Sequence, residues 1–158
     1  MLSARARACR DRRCRIERPA MTTTAEATVV FESPSVVMWF HPDTKIVHHQ
    51  IKKFAFGKEF RDFLLAGTAA MGKNKATKWL SDDRSNTALA KEDLDWAQTN
   101  WFPQTVAAGW KHWAIVQPEK TLGKMAMDRL VKDYLMAGIN AKFFSDPEEA
   151  MKWLVAQA

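Results

Sequence analysis

The chain has 158 residues with a formal net charge of +6, a length that suits one domain able to bury its own core without disulfide or metal staples. Both cysteines, Cys9 and Cys14, fall within the first 20 residues, which excludes a disulfide framework inside the fold and leads us to expect a reducing, cytoplasmic setting. No apolar run approaches the ~20 residues of a membrane span, and no secretory apolar region is visible.

Residues 1–20 hold Arg5, Arg7, Arg10, Arg12, Arg13, Arg15 and Arg18 against Asp11 and Glu17, whereas residues 21–158 carry 17 basic and 16 acidic side chains. The body is therefore nearly neutral, and the division expected is an Arg-rich tail over 1–20 followed by one domain over 21–158. Three readings of the tail stay open. It is a nucleic-acid-binding arm that gains from counterion release, an Arg-rich transit peptide, or upstream sequence ahead of a start at Met21. Few hydroxyl residues and two acids weigh against the transit peptide.

From Met21 onward the patterns alternate. Thr28–Phe31 and Val36–Phe40 are strand-like around Ser33-Pro34-Ser35, and His41-Pro42-Asp43-Thr44 is a turn leading into residues 45–54, so three short strands are expected as an antiparallel meander. After Gly57, residues Phe60, Phe63, Leu64, Gly67, Ala70 and Met71 recur at helical spacing opposite Lys58, Arg61 and Asp62. Within this stretch, residues 67–74 match a P-loop in all but the last position. That position lacks the hydroxyl that binds Mg²⁺, and the segment ends a helix instead of following a strand, so Gly72 reads as a helix stop.

Thr77–Leu80 is the next strand, and it empties into the polar run Ser81-Asp82-Asp83-Arg84-Ser85-Asn86. In an open α/β sheet the carboxyl end of a strand is where ligands are handled. Arg84 has the fork geometry to grip a carboxylate or phosphate; the competing account is that the acids cap turns and pair with Arg84 or nearby lysines. Lys91, Glu92 and Asp93 open a helix whose apolar side carries Leu94, Ala97 and Trp101, with a kink or restart expected at Phe102 before Pro103 and a stop at Gly109.

Trp113–Val116 is apolar at consecutive positions and reads as the central strand, covered on both faces. Met127, Leu130, Val131, Tyr134 and Leu135 mark a helix ended by Gly138, Ile139–Phe144 a strand, and Asp146-Pro147-Glu148-Glu149 a helix start with an acidic cap and proline at the first position. Ala150, Trp153 and Leu154 bury that helix. The order β-β-β-α-β-α-β-α-β-α calls for an α/β fold in which a meander passes into parallel strands with helices packed on the sheet.

The order of elements, the loop after Trp79-Leu80, the acid-rich helix ending in Trp101, the Trp113 strand and the ending Phe143-Phe144-Ser145-Asp146 with Ala150 and Trp153-Leu154 resemble the SpoIIAA-like (STAS-like) proteins of bacteria, over roughly residues 28 to 156, about the size of one domain. The resemblance implies a mixed sheet of four to six strands flanked by helices. In the anti-sigma-factor antagonists of that family it also implies a serine at the strand-to-helix junction that a partner kinase phosphorylates. The matching hydroxyls are Ser81 and Ser85. The antagonists carry an Asp-Ser-Ser-Gly-like turn there, whereas this chain has Asp82-Asp83-Arg84-Ser85-Asn86 and no glycine.

Other constellations point away from chemistry. Adjacent His48 and His49 face opposite sides of a strand, His41 sits at a turn and His112 on another strand, so no metal site is expected, and no cofactor. Most of the seven tryptophans and nine phenylalanines read as core, with Trp39, Trp96 and Trp110 set aside as candidates for a cleft or interface. The body lacks a cysteine nucleophile and a Gly-x-Ser-x-Gly elbow, so an enzyme is not the favoured reading.

The function expected is a small regulatory or binding module that recognises a protein partner through residues 81–86. The alternatives are a small-molecule or anion binder, or an enzyme, using a cleft between loops 81–86 and 117–121, and a nucleic-acid binder through the tail.

Overall fold

A computed structural model describes residues 25–86, 90–117 and 132–158. The Arg-rich tail, most of the 117–121 loop and residues Met127, Leu130 and Val131 of the expected fourth helix lie outside them. Six strands form one sheet in sequential order: β1 (Thr28–Glu32), β2 (Val36–His41), β3 (Ile46–Ile51), β4 (Lys78–Asp82), β5 (His112–Val116) and β6 (Asn140–Phe144). The pairs β1–β2 and β2–β3 are antiparallel, and β3–β4, β4–β5 and β5–β6 are parallel. The expected meander and parallel half are both present. β5 is not the central strand, however, but second from the edge, because each parallel strand adds outside the one before it. Its consecutive apolar residues arise from helices on both faces.

Four helical regions alternate with the parallel strands: α1 (Gly57–Asn74); α2 (Lys91–Trp96), joined through a π-helical turn (Ala97–Trp101) to α3 (Phe102–Ala107); α4, helical over residues 132–136; and α5 (Pro147–Val155). The π turn lies just before Pro103, where the kink was expected. Proline lacks an N–H and crowds the preceding turn, and a widened turn relieves both. α1 runs past Gly72 to Asn74, and Lys75 takes the left-handed conformation (φ 53°) with its N–H and that of Ala76 closing the helix on Gly72 and Met71 carbonyls. Gly72 is thus inside the helix and not its stop.

Asp93, expected to complement the dipole of its own helix, turns inward instead. It accepts from the Gly57 N–H (2.6 Å) and Arg61 Nε (3.0 Å), capping α1, whose own N-cap residue Phe56 has no side chain to do so. In α5 the expected cap holds: Asp146 Oδ1 accepts from the Glu148 N–H at 2.9 Å, with Pro147 at the first helical position.

Strand alternation sorts the side chains into two cores. On the first face, Met38, Phe40, Val47 and Trp79 pack with Phe60, Phe63, Leu64 and Met71 of α1 and with Trp101 and Trp110. On the second face, Ile46, Leu80, Ala114 and Val116 pack with Ala150 and Leu154 of α5. Gly67 lets α1 approach the first face, since a Cβ there would stand 2.2 Å from the Trp79 ring and 2.9 Å from Met38 Cε. Leu135, expected on an apolar stripe, is about half exposed. No helix among the described residues is long and apolar enough to cross a membrane.

Candidate functional site

β4 extends two residues further than the apolar pattern suggested, to Asp82, and this decides where the polar run goes. Ser81 and Asp82 are strand residues on opposite faces. Ser81 shares a cross-sheet row with His49, Ile115 and Phe143 on the first face. One step deeper, the row Val47, Trp79, Trp113 and Ala141 is filled by two indoles. A serine above a tryptophan leaves space, and a cleft of about 340 Å³ opens there at the carboxyl ends of the strands. Its described walls are Phe60, Phe63 and Leu64 of α1, Leu94, Ala97, Gln98 and Trp101 of the second helix, and Tyr134 of α4, over the floor row; Asp83, Asn86 and Gln117 stand at its polar end.

The polar groups of the cleft are wired in a definite order. Trp79 Nε1, which can only donate, gives its hydrogen to His49 Nδ1 at 3.0 Å. His49 then carries its ring proton on Nε2, which donates to Asp83 Oδ1 at 3.0 Å. The Asp83 N–H donates to the Val116 carbonyl (2.9 Å) and its carbonyl accepts from the Asn86 N–H (3.0 Å), so the carboxylate is held by both its backbone and its side chain. Trp113 Nε1 donates to Ser81 Oγ at 2.8 Å.

Ser81, His49 and Asp83 are the three residue types of a hydrolase triad, but the connections are wrong for one. A triad histidine accepts from the serine and donates to the acid. Here both ring nitrogens are taken, by Trp79 and Asp83, and the Ser81 hydroxyl is engaged by Trp113. The arrangement fixes a carboxylate at a cleft; it does not activate a nucleophile. Two further groups have no assigned role: Asn86 Oδ1 and Gln117 Oε1 are buried and have no hydrogen-bond partner among the described residues. Tyr134 is pushed up to about 12 by burial and by nearby Asp133, so its phenol stays protonated at neutral pH.

The rest of the 81–86 run does not enter the cleft. Asp82 points to the second face, 3% exposed, and accepts from Arg84 Nε and Nη2 at 2.8 Å each. Gln50 Nε2 adds a longer contact at 3.4 Å. Burial raises the Asp82 carboxyl, and the hydrogen bonds and charge of Arg84 outweigh it, leaving it below the ordinary carboxylate range. Arg84 is correspondingly raised by its hydrogen bonds to Asp82. The guanidinium named as an anion gripper is paired with Asp82, the second of the two arrangements open from sequence. Of the two candidate phosphoacceptors, Ser81 is 2% exposed inside the cleft and Ser85 is exposed.

His49, Trp113 and Tyr134 were not among the residues expected at the site from sequence, whereas Gln117 opens the 117–121 loop named for the alternative cleft. A signal existed for His49, which has the same strand parity as Val47 and Ile51 and therefore points into the apolar face. Trp110, set aside as a cleft or interface candidate, is 2% exposed and packs against Trp101 and Trp113, with centroids 5.1 and 4.9 Å away. It is core because Gly109 (φ 111°) turns the chain inward ahead of β5. Trp96 lies under the Arg61 guanidinium.

Trp39 lies on the second face against His48, whose ring also stacks on His41 with His41 Nε2 and His48 Nδ1 3.4 Å apart. Burial and the neighbouring histidines lower His48 to about 3, a nearby Asp82 opposing them. His49 is on the other face, as expected. Among the described residues no group of three or more His, Cys, Asp or Glu side chains is placed to hold a metal ion.

No family model matches the chain, and no curated protein matches it. Among solved structures, the chain is similar to an uncharacterized protein of the DUF3478 family with a SpoIIAA-like fold from Shewanella loihica PV-4, at 13% identity and a TM-score of 0.49, covering 82% of this chain and 92% of that one.

Proposed function

We propose that the protein is a non-catalytic binding module whose ligand is a small molecule seated in the cleft at the carboxyl ends of β4 and β5. The observation that carries this reading is the pair of buried oxygens, Asn86 Oδ1 and Gln117 Oε1, without a hydrogen-bond partner among the described residues, at the polar end of an aromatic-walled cavity. A buried acceptor without a donor costs roughly 1–3 kcal/mol, and a ligand that supplies the donor recovers that cost. Ser81 and Asp83 are the further polar contacts. The same geometry favours the cleft over the loop 81–86 acting alone, since Ser81, Asp83 and Asn86 line the cleft while Asp82 and Arg84 pair outside it.

A thermal-shift screen against a library of metabolites and fragments tests this. A ligand at 100 times its Kd adds about 2.7 kcal/mol of stability, a shift of several degrees for a domain this size. Ser81→Val, which fills the floor row, is expected to remove the shift. A broad library with no hit, or hits that Ser81→Val leaves intact, would contradict the reading.

A protein partner remains a second reading, favoured by the exposed Ser85 and the part-exposed Arg84 before it in sequence. If the partner is a kinase, Ser85 is its acceptor and not Ser81. Phosphate mapped to Ser81 by fragmentation of the native protein would contradict this assignment.

A further inference from the structure

We propose that the cleft selects a cationic ligand, an ammonium group carried on an aromatic or alicyclic body and free of a carboxylate, with Asp83 as its counter-ion. This rests on the cleft being the ligand seat.

The charge of the cleft favours a cation. Among the described residues, the lining contains one carboxylate, Asp83, and no lysine or arginine. Arg84, next to Asp83 in sequence, is committed to Asp82 on the opposite face of the sheet. The hydrogen bonds among the described residues use Oδ1 of Asp83 for His49, and the carboxylate is partly exposed, at 21%. A carboxylate fixed by a neutral histidine and a backbone turn is pre-set to meet a positive group without reorganising.

The polar end of the cleft presents acceptors in need of donors. Asn86 Oδ1 and Gln117 Oε1 are acceptors that need N–H or O–H partners. An ammonium brings three donors and no acceptor. A ligand carboxylate or phosphate would instead meet the Asp83 carboxylate and two carbonyl oxygens. Ser81 Oγ accepts from Trp113 and, with the Tyr134 phenol, is left as a hydroxyl donor for a polar atom on the ligand body.

The wall of the cleft is aromatic. Phe60, Phe63, Trp101, Trp113, Tyr134 and Phe143 line the cavity. Aromatic faces attract a cation through their quadrupole, most strongly when it is desolvated, and they bury the ligand's ring. The about 340 Å³ of space accommodates a ring with a short amine arm.

The test uses a matched series on the full chain: phenethylamine, 2-phenylethanol and 3-phenylpropionate, with affinities from calorimetry and from backbone and indole N–H shifts. The amine is expected to bind at least about tenfold more tightly than the alcohol, equivalent to about 1.4 kcal/mol, and the carboxylate more weakly than both. Asp83→Asn is expected to bring the amine down to the alcohol's affinity and leave the alcohol unchanged. An alcohol or carboxylate that binds as well as the amine would overturn the cationic preference while leaving the cleft reading in place. Absence of binding by all three, together with no hit from a fragment library of mixed charge, would overturn both. The comparison on the unsubstituted chain decides the matter even if Asp83→Asn folds poorly.

Discussion

At the end of β4 the two faces of one sheet treat the same kind of residue in opposite ways. On the α5 side, Asp82 meets Arg84 in a bidentate pair and Gln50 completes it. On the α1 side, Asp83 is held by His49 and stands beside oxygens that nothing among the described residues satisfies. Matched groups stabilise; held but unmatched groups cost stability and, on the proposed reading, are the ones that recognise a ligand. Adjacent aspartates in one hexapeptide thus belong to different parts of the molecule, and the contrast can be broken or sharpened by substitution.

The largest effect is expected from Gly67→Ala. Its Cβ would enter the Trp79 ring at 2.2 Å, and overpacking of this kind typically costs about 1–3 kcal/mol and sometimes more, offset by up to about 1 kcal/mol of helix propensity. Because Trp79 also holds His49, cleft binding should weaken together with stability. A denaturant midpoint at or above that of the parent would show that the helix and sheet have slack the packing does not suggest.

Next is Arg84→Ala. It leaves the Asp82 carboxylate buried without its cation, and since the guanidinium is 43% exposed the cost is expected at about 1–2 kcal/mol, well below that of a fully buried pair. Ligand affinity in the cleft should not change. Loss of ligand binding with unchanged melting temperature would reverse the roles assigned to the two faces.

Acid should act through the second face as well. His48 titrates near 6.5 when unfolded and near 3 when folded, so below about pH 6.5 the unfolded chain binds more protons and stability falls. The fall continues down to about pH 3, by up to about 1.4 kcal/mol per pH unit. Asp82, lowered in the folded state, contributes stability above the ordinary carboxylate range that is lost only at lower pH. His41 and His112 are lowered as well, mainly by burial, so His48→Gln should make the limb between pH 6.5 and 4.5 shallower without abolishing it in a series of urea titrations. An unchanged limb would place the acid sensitivity elsewhere.

The smallest effect on stability, below about 1 kcal/mol, is expected for Asp83→Asn, which keeps an acceptor for His49 Nε2. If it proves as costly as Arg84→Ala, Asp83 is structural and the contrast between the faces is lost.

Much of the fold was legible because its signals are local. The caps at Asp146-Pro147, the helical spacing from Phe60 to Met71 and the four consecutive apolar residues at Trp113 each correspond to an element. The cleft was legible only as a place, between loops 81–86 and 117–121 at the carboxyl ends of two strands. Its composition was not, because the boundary at Leu80 was set by polarity, while pairing with β3 and β5 carries the strand on to Asp82. That shift of two residues is what assigns Ser81 and Asp82 to opposite faces. His49 and Tyr134 reach the cleft from β3 and α4, and only for His49 does a strand period point there; Gln117 was legible as the start of the 117–121 loop. Asp93 capping α1 from another helix has no local signal at all, since the contact spans 36 residues.

The central claim is that the first face carries the ligand seat, and the tryptophan indole N–H resonances report on it directly. Trp79, Trp101 and Trp113 donate to His49, Leu64 and Ser81 around the cleft, whereas Trp39 and Trp153 sit with His48 and Phe144 on the second face. Recorded against the hits of a fragment library, ligand-induced shifts are expected at Trp101 and Trp113, with Trp79 following, and not at Trp39 or Trp153. Shifts confined to Trp39 and Trp153, or no indole shift with any fragment, would contradict the account.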